Sequence, residues 1–156
     1  MTVTAETATR SWTSRSEAAT ETAGRELVEA FGHDVTLLLY GDLGSGKTVL
    51  VRGLAAALGV DRREIQSPSY ALIHEHEGSR GRLVHVDLYR LDPPEVDGLG
   101  LEELLEGPGV KAIEWADRLP APPPDAVRVT LRETRGGGRE IRAVADRAGN
   151  PCPEGR

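Results

Sequence analysis

Eight consecutive residues, Gly41-Asp42-Leu43-Gly44-Ser45-Gly46-Lys47-Thr48, carry the spacing G-x-x-x-x-G-K-[ST]. Each position has a chemical task. The glycines allow successive backbone N–H groups to turn inward around phosphate oxygens. The loop opens a helix, whose positive end then faces the anion. Lys47 can reach the outer phosphates, and the Thr48 hydroxyl can ligate Mg²⁺. Lys47 is also one of only two lysines in the chain, the other being Lys111. The chemistry implied is the binding of a nucleoside triphosphate with magnesium.

Such a loop needs a carboxylate at the end of a second strand, to hold the metal or to orient water. Two acids qualify: Asp87 ends the run LVHVD and Glu114 ends VKAIE. The residues alone leave open which of them meets the metal, and both can serve. Guanine-specific sites commonly use Asn-Lys-x-Asp. Here the single asparagine, Asn150, has neither lysine near it, which leaves ATP as the expected nucleotide. The candidate ATP-binding set is therefore Gly41, Asp42, Leu43, Gly44, Ser45, Gly46, Lys47, Thr48 and Val49. Further on, in Gln66-Ser67-Pro68-Ser69-Tyr70, Ser69 could bring a hydroxyl to the γ-phosphate; a plain turn is the bland alternative.

Other chemistry-bearing residues weigh less. Arg90 could sense phosphate, contact a partner or form an ordinary surface ion pair. Trp115 reads as core or interface packing. His74, His76 and His85, with Glu75 or Glu77, could suggest zinc. No fourth ligand has convincing spacing, and histidines on a solvent-facing ribbon are more often unliganded.

These residues need elements to hold them. VTLLLY (35–40) is an unbroken apolar run, suited to a strand covered on both faces. The segment 47–58 reads as a helix with Leu50, Leu54 and Leu58 inward and Gly59 as its stop. Before it, residues 14–31 read as a first helix, with Ser14 and Glu17 as a capping box. YALIHEHE and RLVHVDLY, joined by GSRG, predict a hairpin and hence a mixed sheet. Two prolines open the short helical stretch 93–107, VKAIEW is another buried strand, and AVRVTLRE and GREIRAVA close the chain as a second hairpin. The expectation is an α/β fold: a three-layer P-loop NTPase-like domain with a mixed β-sheet and an inserted β-hairpin.

At 156 residues and 38% hydrophobic content, one domain is expected, over 14–146, with residues 1–13 and 147–156 as flexible tails. The lone Cys152, between two prolines, excludes a disulfide framework. No stretch approaches the ~18 apolar residues of a membrane span, so a cytoplasmic protein is expected. A net charge of −6 argues against autonomous binding to DNA or bulk RNA.

GDLGSGKT, SPSY, HVDLYRL and IEW, in this order and spacing, resemble the TsaE family, and the resemblance runs from the first helix to the last hairpin. It implies a small ATPase, weak alone, that binds ATP and Mg²⁺ and supports threonylcarbamoyladenosine formation on tRNA. The partners it implies are TsaD and TsaB-like proteins, with tRNA reached only through the complex. By the same resemblance Thr48 and Glu114 are the magnesium ligands, Asp87 is the catalytic acid, also counted toward the metal set, and Lys47 and Ser69 complete the catalytic group. Ser69 stands where the family usually has threonine, and Ser45 where it usually has alanine. The first helix near Ser16 and Thr20 and the last hairpin near Gly138 and Arg139 lie where the family encloses the base. A small-molecule P-loop kinase is the alternative, although no arginine-rich lid is evident.

Overall fold

The computed structural model describes residues 7–42, 44–66 and 73–146. Leu43, the Ser67–Leu72 stretch with Ser69, and the 147–156 segment lie outside the described residues. Within them the order is β1 (Thr7–Ser14), α1 (Glu17–Phe31), β2 (Val35–Tyr40), α2 (Lys47–Leu58), β3 (Ile73–Glu77), β4 (Arg82–Asp87), α3 (Pro93–Asp97), α4 (Leu101–Glu106), β5 (Val110–Glu114), β6 (Val127–Glu133) and β7 (Arg139–Asp146). All seven strands join one sheet in the order β1-β7-β6-β2-β5-β4-β3. β2 pairs in parallel with both β5 and β6, and β4 pairs in parallel with β5. The β3–β4, β6–β7 and β1–β7 pairs are antiparallel. The sheet is thus mixed, as the sequence predicts, and the β3–β4 hairpin lies at one edge of it.

The unbroken apolar run of β2 has a direct structural reason. Leu37 and Leu39 join the core beneath α1 and α2, while Leu38 joins a second core with Val96 and Leu101 on the opposite face. Alternate residues of one strand face two layers, and both are dry. α1 and α2 cross where Gly24 and Gly53 meet them. A Cβ on Gly53 would stand 2.0 Å from the Glu21 carbonyl oxygen, and one on Gly24 would stand 2.3 Å from that of Leu50. The α2 helix ends at Leu58 against the turn of the first hairpin. There Arg80 donates from Nε to the Ala57 carbonyl at 2.9 Å and from Nη2 to that of Ala56 at 2.8 Å. A cation thereby satisfies the negative end of the helix.

Two expectations are corrected. Thr7–Thr13, assigned to a flexible tail, form with Ser14 an edge strand paired along its length with β7. Its apolar contribution is confined to Ala8 and Trp12, which pack against the α1/α2 core from one face. Moreover, the cap of α1 is Ser16, whose Oγ accepts from the Ala19 N–H at 3.0 Å, rather than Ser14. Ser14 instead ends β1, and its buried hydroxyl donates to the Ser16 carbonyl at 2.8 Å.

Candidate functional site

The carboxyl ends of β2, β4 and β5 meet at the start of α2. Gly46 sits at the N-cap in the left-handed region (φ 104°), and no side chain caps the helix there. The first N–H groups of α2 therefore point out of the helix end, as anion binding requires. A Cβ at Gly46 would lie 3.2 Å from Cδ and Nε of Arg139, so the last hairpin closes over the loop. Arg139 fixes that approach by donating from Nη2 to the Gly44 carbonyl at 3.1 Å.

Lys47 is buried. Its ammonium donates to the Gly41 carbonyl and, at 3.0 Å, to that of Asp42, and it lies 4.2 Å from the centre of the Trp115 ring. Burial pushes its pKa below the ordinary lysine value, opposed by the negative charges of Glu114, Asp87, Asp42 and Asp117. Trp115 takes a left-handed backbone conformation (φ 59°), alone among the described non-glycine residues. This uncommon geometry carries its ring over Lys47 and against Tyr89, the two ring centres 4.8 Å apart.

The two candidate carboxylates converge. Asp87 and Glu114 occupy matching positions on the neighbouring strands β4 and β5, and both are buried. Across from them the Thr48 hydroxyl stands 3.4 Å from Oε1 and 3.3 Å from Oε2 of Glu114. The Tyr89 N–H donates to Oδ1 of Asp87 at 2.9 Å, which fixes that side chain. A hydroxyl and carboxylates gathered at a helix N-terminus form a hard-oxygen donor set, and that chemistry fits Mg²⁺. These residues surround a cavity of about 300 Å³, with Gly44, Gly46 and Val49 on the loop side and Glu17 and Arg139 at its rim.

Not every loop residue faces this cavity. Gly41, Asp42 and Ser45 line a separate trough of about 650 Å³ with Tyr40, Thr130 and Arg142. Ser16 is engaged in capping α1, and Glu17 is the α1 residue that reaches the cavity. Arg90 is exposed. Among the described residues no group of three or more His, Cys, Asp or Glu side chains is arranged to hold a metal. His74 and His85 do oppose one another in the hairpin. Yet the ribbon is not solvent-facing at His85, which is fully buried, with Nε2 2.5 Å from Oε2 of Glu114. Sequence reasoning had weighed this histidine only for zinc. Its spacing two residues before Asp87, which puts both on one strand face, was the available signal.

Comparison with known proteins places this geometry in context. The family model described as "Threonylcarbamoyl adenosine biosynthesis protein TsaE" matches residues 14–141. Over 108 residues the chain is 45% identical to the tRNA threonylcarbamoyladenosine biosynthesis protein TsaE of Nostoc sp., covering 67% of this chain and 66% of that protein. Against the Bacillus subtilis protein of the same description, identity is 36% over 121 residues, covering 76% and 75%. The crystal structure of Bacillus subtilis YdiB superposes with a TM-score of 0.70 at 29% identity, covering 90% of this chain and 88% of that one.

Proposed function

The chain belongs to the TsaE family, and from that premise we propose that it is a Mg²⁺-dependent P-loop ATPase serving threonylcarbamoyladenosine modification of tRNA. It acts with TsaD and TsaB-like partners in the cytoplasm. Its net negative charge favours reaching tRNA through that complex rather than alone. Among the described residues no helix is long and apolar enough to cross a membrane.

One observation carries the reading. Thr48, Asp87 and Glu114, far apart in sequence, meet at the N-terminus of α2 beside a buried lysine. In this reading the N–H groups of the loop and Lys47 hold the phosphates. Thr48 and Glu114 would hold Mg²⁺, which when bound neutralises charge on the phosphate oxygens. Asp87, fixed by the Tyr89 N–H, orients the attacking water and accepts its proton, and Arg139 closes the loop from outside. Ser69 remains the proposed hydroxyl contact to the γ-phosphate, and Ser16 with Arg139 the proposed enclosure of the base.

Phosphate release from ATP, measured without any acceptor and with or without the partner proteins, tests this. The expected result is slow release alone, faster release with partners, and loss of it in Lys47→Ala. Asp87→Asn should lower turnover by about 100-fold or more, the scale of a lost general base. Transfer of the γ-phosphate to a small-molecule acceptor would instead establish the kinase alternative.

A further inference from the structure

His85 has no solvent exposure at all. It stands two residues before Asp87 in β4, and its register partner in β5 is Ala112, two residues before Glu114. Period-two alternation therefore sends His85, Asp87 and Glu114 to the same face of the sheet, the one beneath α2. Nε2 of the ring lies 2.5 Å from Oε2 of Glu114, while Nδ1 meets no hydrogen-bond partner among the described residues. A carboxylate that serves as a metal ligand only accepts, and on that reading of Glu114 the ring's Nε2 is the donor. Apolar volume alone would be filled better by a leucine or valine, as at neighbouring Leu83 and Val84, without burying a ring nitrogen.

We propose that His85 is the positioning residue of the metal site. Its Nε2–H holds one oxygen of Glu114, fixing the carboxylate plane so that the group faces the Thr48 hydroxyl across the start of α2. The side chain touches neither nucleotide nor metal and acts wholly through Glu114. Hydrogen bonds to a ligating carboxylate fix its orientation, and losing such a partner typically weakens metal binding by about 10- to 100-fold. The inference rests on the reading of Thr48 and Glu114 as the metal ligands.

The test uses Mn²⁺ as a paramagnetic hard dication, its affinity measured by electron paramagnetic resonance on protein loaded with a non-hydrolysable ATP analogue. His85→Leu is expected to weaken Mn²⁺ binding at least tenfold while metal-free nucleotide affinity stays within about twofold. His85→Gln, whose amide N–H can reach the same oxygen, should recover most of the loss. A residue that merely fills the core would not separate the two affinities, nor be rescued by glutamine. Undiminished Mn²⁺ binding in His85→Leu overturns the proposal if Glu114→Gln does weaken it. Undiminished binding in Glu114→Gln overturns the metal-site reading itself, and the proposal with it. Should His85→Leu fail to fold, the wild-type protein decides: adding Mg²⁺ to the nucleotide-loaded chain should move the His85 Nε2–H resonance. An unmoved resonance overturns the proposal.

Discussion

Lys47 occupies a position that works against stability. Its ammonium is taken out of water, and the carbonyls of Gly41 and Asp42 together with the Trp115 ring replace that water only in part. Its folded pKa is therefore lowered from 10.5. The sign of the pH dependence follows. Below the lowered value both folded and unfolded chains carry the proton, and the penalty is present in full. As pH climbs through that value toward 10.5 the folded chain sheds its proton first, and the penalty fades. Lys47→Met should thus compare most favourably with wild type near neutrality, and lose ground as pH rises toward 10.5. Urea denaturation at several pH values reads this; a difference that stays constant across the range would count against it. On the proposed reading this costly charge stands where phosphate would bind, an exchange of stability for function.

Among the elements, the α1–α2 crossing is the tightest contact, and it depends on two absent side chains. Gly24 and Gly53 each face a carbonyl oxygen of the other helix at a distance no Cβ tolerates. Gly53→Ala must push the helices apart, and overpacking of this kind costs about 1–3 kcal/mol. In a chain of this size that lowers Tm by roughly 2–12 °C, measurable by thermal denaturation. Neither glycine stood out in the sequence, because nothing there says which residue lies opposite. The same holds for β1: TATRSWTS offers only Ala8 and Trp12 to a core, so an edge strand reads like a polar tail. Ser14 and Ser16 both suit a helix cap, and only the pairing of Ser14 with Arg139 of β7 decides between them. By contrast β2, α2, β4 and β5 were legible, since burial on both faces or on one helical stripe leaves a plain apolar pattern. The acids ending β4 and β5 were legible for that reason, and His85 was not, because its partner lies 29 residues away in the chain.

For the molecule as a whole, the site lies where the two cores on either side of the sheet share their strands, so ligand binding should be felt globally. A ligand at about 100 times its Kd adds about 2.7 kcal/mol to the folded state. For this chain length that is roughly 5–11 °C in Tm. ATP with Mg²⁺ should produce such a rise in differential scanning fluorimetry, and Lys47→Ala should largely abolish it. The first hairpin gives the site a further property. Its turn grips the last carbonyls of α2 through Arg80, while the far end of β4 brings Asp87 to the first turn of the same helix. The 12 residues of α2 span ~18 Å, and the 6 residues of β4 span ~20 Å. Helix and strand behave as the two legs of a caliper, closed at one end on the Arg80 cation and at the other on Asp87. One leg cannot change length alone. A single residue inserted in β4 ahead of His85 would turn His85 and Asp87 to the opposite face, whereas the loops outside the caliper are free of that constraint.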